Sequence, residues 1–165
     1  MTTQKKTRSK ECWTDMAKFS IVGEFKILQK LPSLNEVVAA NRSGYHAGAS
    51  LKKKLERDII SYIEAAIYAD KTLSASTIEC PVCIYCRWHE STMRRDADNI
   101  ESAVKFILDA MQKCGILKGD GRKYVPQVFH KIVDDDRDYV EVLLLKDLES
   151  GVKVKNKNKN TNTLK

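Results

Sequence analysis

Residues 49–69 constrain this chain more tightly than any other stretch. Leu51, Leu55, Ile59, Tyr62, Ile63, Ala66 and Ile67 recur at the three- and four-residue spacing of a helix, while Lys52, Lys53, Lys54 and Arg57 fall on its exposed side. A helix with one long apolar stripe is stable only when a second layer covers that stripe. Neighbouring segments supply the layer as strands. Residues 19–28, FSIVGEFKIL, place Ile21, Phe25 and Ile27 on one face, and residues 76–89 are rich in β-branched and aromatic side chains. Two further strands are predicted in YVPQVFHKIV and DYVEVLLLK, with the acidic DDDRD at 134–138 as the turn of a terminal hairpin.

Two more helices complete the outline. In LPSLNEVVAANRSG, Ser33 followed three residues later by Glu36 reads as a helix cap, and the helix ends near Gly44. A second strong amphipathic helix is predicted over 97–113, with Ile100, Val104, Ile107, Leu108 and Met111 packing inward and Gly115 as a left-handed cap. The resulting order, β-α-α-β-α-β-β, describes an α+β domain: a mainly antiparallel four-stranded sheet with helices packed against it. Internal repeats and a Gly-rich phosphate loop are both absent from the sequence.

The run CPVCIYC at 80–86 resembles a metal knuckle, since zinc sites use short C-x-x-C steps. A second pair of ligands at comparable spacing is missing, Cys12 and Cys114 are remote, and His89 is too close along an extended chain to complete the set easily. On a strand, Cys80, Val82, Ile84, Cys86 and Trp88 share one face while Cys83 points to the other. Packing cysteines are the expectation here.

Charge is concentrated at the ends. Of a net +7 over 165 residues, residues 1–10 carry +4 and residues 148–165 carry +4, leaving 11–147 at −1. Basic arms around a near-neutral domain suit a polyanion such as nucleic acid, although terminal lysines also serve solubility alone. Residues 1–18 read as a basic arm, and 148–165, ending in KVKNKNKNTNTLK, as a disordered Lys/Asn-rich tail. No stretch reaches the length of a membrane span, and the first residues lack an apolar signal-peptide core. A soluble intracellular protein is expected.

Chemistry concentrates in RRDADNI at 94–100. Aspartate suits a helix start as a cap and through the helix dipole, which accounts for one of Asp96 and Asp98 better than for both. A hard divalent cation would relieve the repulsion between the pair. Lys105 lies seven residues after Asp98, nearly two turns, which on one helix places both on one face. Asp120 follows in the loop KGDGRK.

Taken together, RRDADNI…KFILDAM…CGILKGDGRKYV resembles the central motif of the RusA family of Holliday junction resolvases, found in phages and prophages. The upstream LPSLNEVVAANR…KKKLE and the two final strands also fit that layout, so the resemblance covers about residues 19–147. It implies a RusA-like nuclease domain over 19–147 that hydrolyses phosphodiesters of four-way DNA junctions with Mg²⁺, or Mn²⁺ in its place. Carried onto this chain, the metal-binding carboxylates fall on Asp96, Asp98 and Asp120, and the essential lysine on Lys105. Arg94 and Arg95, with Lys52, Lys53, Lys54 and Arg57, are the expected DNA contacts. Paired cuts in two strands imply a homodimer, working in the cytoplasm of a bacterial or phage-infected cell.

Two departures stand out. The stretch from Asp98 to Lys105 is three residues longer than in shorter members, so counting forward at the shorter spacing lands on Ser102. Asp120 is single where the family often has a pair. Phosphatases and nucleotide-sugar transferases also carry D-x-D, but there it belongs to doubly wound folds that this order of elements does not match. A nucleic-acid-binding protein with a non-catalytic metal site is the remaining alternative.

Overall fold

The computed structural model describes residues 18–69, 73 and 76–148. Apart from Lys18 and Leu148, the expected basic arm and Lys/Asn-rich tail lie outside these residues, as does Cys12.

Along the chain run β1 (Phe19–Ile27), α1 (Leu34–Ser43), α2 (Tyr45–Ala69), β2 (Cys83–Glu90), α3 (Ala97–Glu101), α4 (Val104–Lys113), β3 (Val128–Asp134) and β4 (Tyr139–Asp147). This is the expected α+β order, with one helix interrupted. Ser33 begins α1 through a full capping box: its hydroxyl accepts from the Glu36 N–H, and its own N–H donates to the Glu36 carboxylate at 2.7 Å. Gly44, at φ 147°, separates α1 from α2, a conformation that only glycine adopts without strain. The predicted stripe of α2 is buried at Leu55, Ile59 and Ile63.

Four strands lie in the order β1-β4-β2-β3. β4 pairs antiparallel with both β1 and β2, and β3 runs parallel to β2. The mainly antiparallel sheet is as expected, but the terminal hairpin is not formed, because β2 lies between β3 and β4. Residues 135–138 instead carry the chain across the end of β2, where the Asp135 N–H donates to the Glu90 carbonyl (3.0 Å) and the Ser91 N–H to Asp138 Oδ1 (2.8 Å). The reason lies in β2 itself. Ile84, Cys86 and Trp88 are fully buried, and a β3–β4 hairpin would leave this apolar strand at an edge.

Ile84, Cys86 and Trp88 share a core face with Phe25, Ile27, Val140, Val142 and Leu144, packed against Ile59, Ile63, Ile107 and Met111. Cys83 points to the opposite face, as alternation requires. Burial pushes the Cys86 thiol up to about 12, so it packs as an apolar group. Two strand readings need correction. β2 starts at Cys83, so Cys80 and Val82 precede it, and the chain before it is held by single bonds such as the Ile78 N–H to the Ile116 carbonyl (2.9 Å). Ile21 is 55 % exposed because a bulge at Val22 shifts the register, pairing Ile21 with Leu145 but Gly23 with Leu144, and so turns Ile21 to the other face.

Candidate active site

The loop from β2 to α3 is fixed from below by a buried ion pair. Glu90 is only 5 % exposed, and the Arg95 guanidinium closes on it through Nε (3.1 Å to Oε2) and Nη2, while Nη1 donates to the Leu31 carbonyl at 2.8 Å. Lys30 adds a longer contact at 3.6 Å. Arg95 was expected beside Arg94 as a phosphate contact, but its donors face inward and it serves as a clamp; Arg94 stays exposed. Nothing in the local pattern marked Glu90 as the partner, except a carboxylate ending an apolar strand five residues before an arginine.

This clamp sets the start of α3. Asp96 occupies the N-cap position with extended backbone (φ −71°, ψ 154°), yet its side chain makes no capping hydrogen bond. Asp98 lies in the first turn. Both are exposed, and neither carboxylate is engaged by a hydrogen bond or ion pair among the described residues. The capping bond expected of an aspartate is therefore not made by Asp96, while both residues keep the helix-start positions that the dipole favours.

The predicted single helix over 97–113 breaks at Ser102–Ala103. Tight three-residue bonds run from the Ala103 N–H to Ile100 (3.2 Å) and from Phe106 to Ala103 (3.1 Å), and the Ser102 hydroxyl donates to the Asn99 carbonyl (2.9 Å). The break falls between Asp98 and Lys105. Simple helical phase therefore does not relate Asp98 to Lys105.

Lys105 is placed by other contacts. Its Nζ lies 2.8 Å from Asp109 Oδ1 and 2.5 Å from Asp120 Oδ2. Hydrogen bonds to Asp109 and then Asp120 raise its pKa, and the bond from Lys105 holds Asp120 below the ordinary carboxylate range. The chain returns to make this contact through Gly115 at φ 73°, whose N–H donates to the Gln112 carbonyl (3.0 Å) while the Ile116 N–H reaches Met111 (3.0 Å). Gly119 then passes so close to Tyr124 that a Cβ there would lie 3.0 Å from the ring. The family resemblance places Asp120 with Asp96 and Asp98 around a metal ion and does not anticipate its contact with Lys105.

Sequence reasoning also missed a link to α2. Lys52 Nζ lies 3.3 Å from Asp109 Oδ2, so Asp109 joins Lys52 to Lys105. Lys54 and Arg57 both turn to Asp58, at 3.4 and 3.8 Å, and Lys53 is exposed without an ion pair among the described residues.

Among the described residues, no group of three or more His, Cys, Asp or Glu side chains is arranged to hold a metal ion. The donor chemistry nonetheless fits a hard divalent cation, because Asp96 and Asp98 present unengaged carboxylate oxygens and hydrated Mg²⁺ asks for only one or two carboxylates. Asp120 faces Lys105 instead.

A second acidic segment, at 134–138, is differently used. Asp135 Oδ2 lies 2.8 Å from His89 Nδ1 and accepts from the Tyr139 hydroxyl (3.2 Å), and the His89 and Tyr139 rings stack at 3.9 Å. Nearby, Glu141 accepts from Lys26 (2.8 Å) and Arg87 (2.7 Å). Burial alone would raise the Glu141 pKa, but these two cations outweigh it and hold the carboxyl at about 2.

Compared with known proteins, the chain matches no family model and no curated protein. No helix among the described residues is long and apolar enough to cross a membrane.

Proposed function

We propose that this protein is a Mg²⁺-dependent endodeoxyribonuclease acting on branched DNA, with four-way junctions as the substrate class that the resemblance to RusA resolvases implies. One observation carries the reading: Asp96 and Asp98 stand together at one helix start with exposed carboxylates that no hydrogen bond or ion pair among the described residues engages. Asp96 and Asp98 would hold the cation, which when bound supplies an activated water and neutralises phosphate charge.

The chain's own groups have separable tasks. Lys105, with its pKa raised, remains an ammonium over the working pH range and offsets negative charge that develops on the phosphodiester as water adds and the 3′ oxygen leaves. Asp109 and Asp120 hold that ammonium in place. Arg94 and Lys53, both exposed, contact flanking phosphates and position the strand without reading bases. Arg95 acts indirectly by fixing the loop that carries Asp96. Paired cleavage requires two such sites, hence a homodimer, and the setting is the cytoplasm of a bacterial or phage-infected cell.

The test is incubation of the full chain with a synthetic four-way junction in Mg²⁺ or in EDTA. Resolution in Mg²⁺ only, abolished by Asp98→Asn, supports the reading; cutting that survives Asp98→Asn overturns it. A nucleic-acid-binding protein without catalysis is the second reading, favoured by the engagement of Asp120 with Lys105 and signalled by junction binding with no cleavage.

A further inference from the structure

Between α1, the first turns of α2 and the start of α4 lies a cleft of about 430 Å³, lined by Val37, Asn41, Tyr45, Leu51, Lys52 and Phe106. Its size is within the roughly 300–1,000 Å³ range of ligand clefts. Three features set it apart from an ordinary seam between helices. Tyr45 stands at its rim 86 % exposed, with the neighbouring His46 ring edge on to it at 5.6 Å. Gly48 leaves room for the Asn41 carboxamide: a Cβ at Gly48 would sit 2.0 Å from Asn41 Oδ1. Finally, the wall residue Lys52 reaches Asp109, which holds Lys105, and Phe106 follows Lys105 on α4.

An exposed aromatic face, a polar amide, an apolar floor and adjoining lysines match one chemistry well. A nucleobase has two π faces and a hydrogen-bonding edge, and it arrives attached to phosphates. We propose that this cleft receives an unpaired base of a nucleic-acid strand: Tyr45 stacks on it, Asn41 meets its edge, and Lys52 and Lys53 attract the flanking phosphates. The proposal rests on the nuclease reading for its biological setting, since it places an unstacked base next to Lys105. Base binding itself does not depend on cleavage.

The experiment uses the full chain in EDTA, with single-stranded and junction oligonucleotides carrying 2-aminopurine at unpaired positions. Stacking in the cleft is expected to quench the probe. Tyr45→Ala should remove the quenching and weaken binding at least about fivefold, the lower end for losing one base–aromatic stack, and Tyr45→Trp should restore both. Gly48→Ala, which forces the Asn41 amide aside, should keep the quenching but blunt discrimination among bases. Absence of quenching by the wild type, or unchanged quenching and affinity in Tyr45→Ala, overturns the proposal. So does a Tyr45→Ala effect confined to self-association in sedimentation, which would make the cleft a contact between copies. Cleavage in Mg²⁺ without quenching sinks only the cleft, and quenching without cleavage sinks only the nuclease reading.

Discussion

RRDAD at 94–98 and DDDRD at 134–138 both draw on aspartate and arginine, and they are opposite in use. In the second, Asp135 is occupied by His89 and Tyr139, and Asp138 by the Ser91 N–H and Lys30. In the first, the only charged side chain with a partner among the described residues is Arg95, and its charged partner is Glu90, outside the segment. Carboxylates that brace a crossing loop and carboxylates left open at a helix start cannot be told apart by residue type. What separates them is whether the fold brings donors to them.

The comparison can be broken from either side. The largest effect is expected at the clamp: Arg95→Ala leaves buried Glu90 with only the longer Lys30 contact among the described residues and should lower stability by about 3 kcal/mol, read by urea denaturation. A variant that unfolds at the wild-type midpoint would remove the clamp from the account. Next, Asp98→Asn should cut junction cleavage by more than about 100-fold, beyond the loss of a mere outer-sphere partner, while its denaturation midpoint stays in place. Asp135→Asn should behave in reverse, retaining cleavage and shifting the midpoint.

A smaller effect is expected from pH. The Glu141 carboxyl is depressed from its ordinary 4.5 to about 2, so its contribution is complete above pH 4.5 and disappears as pH falls through that window towards 2. Full linkage over such a shift is about 3 kcal/mol, and partial solvent exposure reduces it to about 1–2 kcal/mol. Glu141→Gln should flatten that part of the acid-denaturation curve. Smallest of all is the difference between two helix starts. Ser33→Ala should cost about 1 kcal/mol because its hydroxyl caps α1, whereas Asp96→Ala should stay within about 0.5 kcal/mol because its side chain caps nothing.

Local features were legible in advance. The Ser33–Glu36 box, the stripe on α2 and the glycine stop at Gly115 each encode their own geometry within a few residues, and all three are present. What escaped depended on distant partners. DDDRD looks like a hairpin turn, but which strands flank β2 is decided by the burial that β2 requires. The bulge at Val22 is a matter of register against β4, and periodicity within β1 carries no trace of it. At the candidate site, Asp96, Asp98, Lys105 and Asp120 could be selected from residue type and family pattern. The inward turn of Arg95 and the bridge from Lys52 to Asp109 come from packing between elements far apart in the chain.

The strand order also governs how the molecule can be made. β1 and β2 do not pair with each other; each uses β4, the last of the four strands in chain order, so Phe19 waits for Asp147, more than a hundred residues away. Contacts of such sequence separation slow folding. While a growing chain has not yet emerged as far as Tyr139, β1 and β2 have unsatisfied backbone edges able to pair with another copy. The Glu90 carbonyl lacks its donor over the same interval, because the Asp135 N–H comes almost as late. Completion of the sheet is thereby tied to the arrival of β4, which makes that strand the timekeeper of the whole domain.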